Sequence, residues 1–332
     1  MPPEPPSPGY DLTRLPPVDT THDAKDLRLA MKGFGTDEKA LITILIRIPD
    51  PLIMASLVQT YARTHKNRSL LADIHSETSS WFREGLEALV RGPLAQDVHQ
   101  LHEALDGPGT REQVLNDVLL GRRNADLDAI KREYQRVHHR SLEADVKGDL
   151  SMKTERLFEM VLAAARAPES TPVYPDQLAA DVREMYQATE GHRIGTDQLT
   201  VCRILTSRSD GQIRAIAQEY RRQYHSELAR VLDKNFDGHM HDALLRILRL
   251  AEDRAMADAE ALEASMKGMG TKDRLLVNRL VRLHWQRDHL QQVKGAYKVL
   301  MKGTELVKRV EGETSGHYRQ LMVAIINGHG PR

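Results

Sequence analysis

Met31-Lys32-Gly33-Phe34-Gly35-Thr36 recurs as Met266-Lys267-Gly268-Met269-Gly270-Thr271, and shorter echoes fall between them at Gly109-Thr110 and Gly195-Thr196. The second glycines of these four stretches lie 74, 86 and 75 residues apart. Such a period marks a chain assembled from copies of one supersecondary unit instead of one irregular core. In three copies an acidic residue follows at a matching distance: Glu77, Asp149 and Glu313 stand 42, 40 and 43 positions beyond Gly35, Gly109 and Gly270. Calcium takes about six to eight oxygen ligands, many of which can be main-chain carbonyls, and glycines let a loop fold so that several carbonyls converge. One distant carboxylate can then close the site.

Outward from the loops, apolar residues recur at i, i+3, i+4 and i+7 from Asp19 onward, the period of amphipathic helices. In repeat two, Val114, Leu115, Val118 and Leu119 share one face, as do Leu127, Ile130, Tyr134 and Val137. The connections at 121–126, 138–141 and 148–151 are short and polar, which gives about five short helices per repeat. Alternating β-branched runs bounded by hairpin turns are absent, so the expected class is all-α. The repeats are placed at 19–90, 91–166, 177–250 and 251–329. A linker at 167–176, with Pro168, Pro172 and Pro175, accounts for the longer middle spacing. Residues 1–18 hold seven of the fifteen prolines and read as an extended tail, an inert solvated arm. The alternatives for this tail are a docking segment for a protein partner or a regulatory site at Tyr10.

Composition narrows the function. Lys plus Arg equals Asp plus Glu at 47 each, so no net field draws the 332-residue chain to nucleic acid, and any attraction to anions must be local or borrowed from a cation. The single Cys202 excludes an internal disulfide framework and suits a reducing, cytoplasmic compartment. Ala40 to Ile46 is among the longest apolar runs, too short to span a bilayer, and the N-terminal segment does not resemble a secretory signal. No nucleophile stands in a recognisable elbow, and Cys202 lies in an apolar helical run, so no enzymatic activity is expected. His99 and His102, at i, i+3, could share a metal but read better as solvated or core histidines, as do His138-His139 and His239 with His241. Asp233-Lys-Asn235-Phe-Asp237-Gly238 imitates the opening of an EF-hand loop, but Leu244 stands where that loop needs glutamate.

A loop of this kind has a purely structural reading: Gly33 ends one helix in a left-handed conformation and Thr36 caps the next. That reading does not account for an acidic residue some 40 positions later in three copies. Glycine loop, acidic residue and four repeats together resemble the annexin family over the whole chain beyond the tail, and the proline-heavy tail itself is similar to that of fungal annexins. Met31 to Thr36 with Glu77, and Met266 to Thr271 with Glu313, match the family motif closely; Leu105-Asp106-Gly107-Pro108-Gly109-Thr110 with Asp149 lacks only the lysine.

The resemblance implies calcium ligands in three sets: the carbonyls of Met31, Gly33 and Gly35 with Glu77, those of Leu105, Gly107 and Gly109 with Asp149, and those of Met266, Gly268 and Gly270 with Glu313. Repeat three carries Asn235 at the acidic position and is expected to be weak or to bind nothing. Four repeats in a slightly curved disc, loops on its convex face, are likewise implied, as is a polar channel to which Asp97, Glu112 and Arg123 look similar. The implied function is calcium-dependent, reversible, peripheral binding to anionic, phosphatidylserine-like phospholipid at the cytosolic face of membranes, with self-association on the membrane open. Sites with one carboxylate each should hold calcium weakly, in the range of about 10⁻⁴ to 10⁻³ M. The rival is a calcium-independent helical scaffold that binds proteins through its concave face or its tail.

Overall fold

A computed structural model describes residues 4–107, 109–150, 152–191 and 195–331. Pro108 of the second loop, His192 to Ile194 of the third, and Pro2 and Pro3 of the tail lie outside the described residues.

Nineteen helices account for the regular structure of the described residues, and no strand occurs among them. The first repeat holds α1 Thr21–Ala30, α2 Glu38–Ile46, α3 Pro51–Thr64, α4 Leu70–Glu77 and the opening half of α5 Ser80–Leu105. The second continues through the rest of α5 into α6 Glu112–Leu119, α7 Asn124–His138, α8 Leu142–Asp149 and α9 Met152–Leu162. The third has α10 Pro175–Thr189, α11 Gln198–Ser207, α12 Asp210–Tyr224, α13 Leu228–Asn235 and α14 Gly238–Glu252. The fourth has α15 Arg254–Met266, α16 Asp273–His284, α17 Arg287–Leu300, α18 Leu306–Glu313 and α19 Gly316–Asn327. The expectation of an all-α fold with five short helices per repeat is met.

Local chemistry sets the boundaries. Asp50 accepts from the Leu52 amide at 2.8 Å while Pro51, which has no amide proton to leave unpaired, opens α3. Pro175 opens α10 in the same way. Gly92, at φ +70 and ψ 175, breaks the course of α5 just before Pro93. Two compact units result. One contains 97–257 with the first seven residues, the other 8–96 with 258–332.

In the first unit α9 packs on α11 and α14, and α14 also meets α6, where His239 bonds Asn116 Oδ1 at 3.0 Å. In the second unit α19 packs on both α2 and α16, and the buried His284 reaches the Ile48 carbonyl at 2.9 Å. Each repeat buries one tyrosine completely: Tyr61, Tyr134, Tyr220 and Tyr297. Their hydroxyls donate to Asp73 Oδ2 at 2.6 Å, to Asp145 Oδ2 at 2.8 Å, to Glu190 Oε2 at 3.2 Å and to Glu263 Oε2, satisfying a polar group that burial would otherwise strand.

Two expectations change. Val137 is 44% exposed, because ten residues beyond Leu127 an α-helix has turned roughly 80° off the Leu127 direction. The tail is not a free arm: Ser7 gives its amide and its hydroxyl to the two carboxylate oxygens of the buried Asp126, each at 2.7 Å. Tyr10 is only 6% exposed, which removes it as an accessible regulatory site. Gly9 sits at φ +84, and a Cβ there would lie 2.5 Å from Pro93 Cγ.

Candidate metal site at the glycine loops

All four loops are closed by the same main-chain bond. The amide of Asp37 donates to Ala30 O at 2.9 Å, Arg111 to Ala104 O at 3.1 Å, Asp197 to Ala188 O at 2.8 Å and Lys272 to Ser265 O at 2.8 Å. In the three loops with an acidic partner, the first implied carbonyl donor, Met31, Leu105 or Met266, comes directly after the acceptor. The Met31 and Met266 side chains are 2% and 0% exposed and root the loop in the core. At the tips Phe34 and Met269 stand free, at 112% and 106% exposure.

Between root and tip, Gly33 and Gly35 have φ of +111 and +84, Gly107 and Gly109 +110 and +82, and Gly268 and Gly270 +108 and +85. A Cβ at any of the six would meet nothing within 4 Å. Glycine is therefore required by backbone conformation and not by crowding.

The acidic residues reach these loops. Thr36 Oγ1 donates toward the Glu77 carbonyl at 3.1 Å and Glu77 Oε2 at 3.2 Å. Thr110 Oγ1 does the same to Asp149, with its carbonyl at 3.1 Å and its carboxylate closer still, and Thr271 Oγ1 lies 2.7 Å from Glu313 Oε2. Thr36 is thus not the helix cap of the structural reading. Asp37 takes that role, accepting from the Ala40 amide at 2.9 Å, which leaves the threonine hydroxyl to hold the acid.

Repeat three keeps the arrangement without the charge. Thr196 Oγ1 donates to Asn235 Oδ1 at 3.0 Å, and Asn235 Nδ2 is spent on the Val231 carbonyl at 2.8 Å.

The oxygen-only character of these donors, the positive-φ glycines and the space around them fit a hard cation such as calcium in loops one and two. In loop four a guanidinium intervenes: Arg309 Nη2 donates to the Met266 carbonyl at 2.8 Å, and Nη1 is bound to Glu313 Oε1. The Thr271 hydroxyl and the Arg309 guanidinium together hold the Glu313 carboxyl below its usual range.

The remaining candidates resolve as ordinary structure. His102 stacks on His138 with centroids 3.9 Å apart, while His99 faces Glu103 at 3.9 Å, so the pair is not poised on a common ion. His241 is taken by Asp233 at 2.8 Å, where the EF-hand-like stretch is the joint between α13 and α14. Among the described residues no group of three or more His, Cys, Asp or Glu forms a metal-holding cluster. Asp97 pairs with Arg122 at 2.6 Å, and Arg123 turns instead to the tail, 3.4 Å from the Pro5 carbonyl and 3.9 Å from Glu4. Burial pushes the Cys202 thiol up to about 12, which keeps it unreactive.

Against known proteins, a family model described as Annexin matches residues 22–89, 96–161, 180–247 and 257–325. The chain belongs to the annexin family. It is 42% identical to Annexin C1 of Cryptococcus neoformans over 325 residues, covering 97% of this chain and 68% of that one. To Annexin A13 of Homo sapiens it is 36% identical over 320 residues, covering 96% of both chains. To Annexin A7 of Xenopus laevis it is 35% identical over 318 residues, but spans only 60% of that protein's length.

Among solved structures, annexin III is similar with a TM-score of 0.86 at 27% identity, 98% of each chain being covered. Chicken annexin V in complex with Zn2+ follows at 0.84 and 27% identity, covering 97% of this chain and 99% of that one. Annexin membership implies calcium-dependent phospholipid binding in general terms. No helix among the described residues is long and apolar enough to cross a membrane.

Proposed function

We propose that this annexin binds anionic phospholipid reversibly, from the cytosolic side, through calcium held at its glycine loops. The ligands would be the carbonyls of Met31, Gly33 and Gly35 with Glu77, those of Leu105, Gly107 and Gly109 with Asp149, and those of Met266, Gly268 and Gly270 with Glu313. The observation that carries the reading is the threonine bridge: in all three repeats with an acid, a loop hydroxyl grips a carboxylate about 40 positions away. No helix-cap role explains that grip, because a neighbouring residue caps the helix in repeat one.

One carboxylate per loop only partly neutralises a divalent ion. Bound there, calcium supplies residual positive charge and open positions that a lipid phosphate oxygen can fill. This is how a chain with equal numbers of acidic and basic residues can still bind an anionic surface. Loops one and four, which share the unit of 8–96 and 258–332, add effective concentration when they act together. Asn235, neutral and fully engaged, keeps repeat three out of the set.

The test is sedimentation with phosphatidylserine vesicles, with and without calcium. Retention only with calcium, lost on combined Glu77→Gln, Asp149→Asn and Glu313→Gln substitution while helicity is unchanged, is the expected result. Retention in both conditions would favour the calcium-independent scaffold.

A further inference from the structure

The helix that carries each acid differs one turn before it. The residue four positions ahead of the acid, or of the asparagine in repeat three, is Asp73, Asp145, Val231 and Arg309 in repeats one to four. In repeat one the charges run as Arg28 on α1 facing Asp73 on α4 at 3.6 Å. In repeat four they are exchanged: Glu263 on α15 faces Arg309 on α18, with Arg309 Nε 3.4 Å from Glu263 Oε2. The exchange moves the cation onto the helix of the ligand carboxylate. There its two terminal nitrogens reach separate parts of one loop, the Met266 carbonyl at 2.8 Å and Glu313 Oε1. Among the described residues Glu77 and Asp149 enter no ion pair, so loops one and two carry no such cation.

From this geometry we infer that Arg309 is an internal cation competing for the repeat-four loop, and that calcium enters there only by displacing it from Met266 and Glu313. The inference rests on the calcium reading of the loops given above. The guanidinium occupies two of the four protein donors that the loop offers, and a divalent ion placed beside it would meet a like charge at contact distance. Loop four is competent only in the fraction of molecules whose arginine has swung away, and its apparent affinity falls by that fraction. Glu263, with the Tyr297 hydroxyl already bound to it, is the partner that can keep the displaced guanidinium. The protein therefore fills its loops in two stages, repeat four last.

Methyl-labelled methionine spectra of the full chain during a calcium titration report the two stages, since Met31 roots loop one and Met266 loop four. The Met266 midpoint is expected about tenfold above that of Met31, the scale of a lost charge-assisted hydrogen bond. Arg309→Leu should lower the Met266 midpoint about tenfold and leave that of Met31 in place; the unmoved Met31 response also certifies the fold. Arg309→Gln, uncharged yet able to bond Glu263, makes the same comparison should the leucine variant not fold. The gain must persist when Glu263→Gln is added, otherwise exposed negative charge and not displacement is its cause and the inference falls. Equal midpoints in the parent chain, or a Met266 midpoint unmoved in these variants, would also overturn it. A Met31 signal that ignores millimolar calcium would instead defeat the calcium reading of the loops as a whole.

Discussion

Thr36 and Glu77, 41 positions apart in sequence, meet at the mouth of the first loop, with the threonine hydroxyl 3.1 Å from the glutamate carbonyl and 3.2 Å from Oε2. The bond orients a carboxylate that would otherwise sample solvent from the end of α4. Replacing Thr36, Thr110 and Thr271 together by valine, which keeps the shape and removes the hydroxyl, should weaken calcium binding about tenfold, as losses of supporting hydrogen bonds around metal ligands generally do. Calorimetric titration in the absence of lipid measures it. An unchanged affinity would mean that the acids need no positioning.

Phe34 and Met269 stand wholly exposed at loop tips beside the carbonyls proposed as ligands. Apolar burial of a side chain of this size is worth about 2 kcal/mol, so a tip that enters the lipid interface strengthens vesicle binding about tenfold or more. Phe34→Asp with Met269→Asp should reduce binding to phosphatidylserine vesicles by at least that factor and leave lipid-free calcium affinity as it was. Equal losses in both assays would place the effect in the loops and not at the interface.

Ser7 ties the tail to Asp126 with two hydrogen bonds at 2.7 Å, one of them from its amide. Ser7→Ala removes the hydroxyl bond to a buried carboxylate, a loss of about 2 kcal/mol in tail docking. Limited proteolysis should then cut the tail faster by about an order of magnitude. A cleavage rate equal to that of the parent chain would show the anchor to be idle.

His239 packs against Phe158 and bonds Asn116, and burial lowers its pKa from the ordinary 6.5 to about 4. The unfolded chain therefore takes up this proton before the folded one does. Stability from this group is fully present above pH 6.5 and is lost as pH falls toward 4, by about 2 kcal/mol between pH 7 and pH 5. Urea unfolding at the two pH values, compared with His239→Gln, should show a smaller acid-induced loss in the variant by that amount. Parallel losses would mean that His239 is protonated in the folded state.

The helical class, the fourfold period and the pairing of loop with distant acid were legible because each is repeated, and repetition separates Gly35, Glu77 and their counterparts from chance. The tyrosines at 61, 134, 220 and 297 are equally repetitive, but in the sequence Tyr134 is only one member of an apolar face, and nothing there names the carboxylates that take the four hydroxyls. What spacing alone does not convey is which neighbour a long side chain chooses. Arg122 and not Arg123 takes Asp97, because the two arginines leave the chain in different directions at the start of α7. Spacing marks Arg309 only as a charge one turn before Glu313; the fold brings α18 against the root of the fourth loop, where the arginine reaches the Met266 carbonyl. The tail read as solvated because its partners, Asp126 and the two prolines around Gly9, come from distant parts of the chain.

Diffraction from crystals equilibrated with millimolar calcium tests the central claim most directly. Ions should stand at about 2.3 to 2.6 Å from the carbonyls of Met31, Gly33 and Gly35 and from the Glu77 carboxylate, with the matching set in repeat two and Arg309 withdrawn wherever loop four is filled. Loops without bound ions, or ions held elsewhere while Glu77 and Asp149 keep only their threonines, would contradict the account.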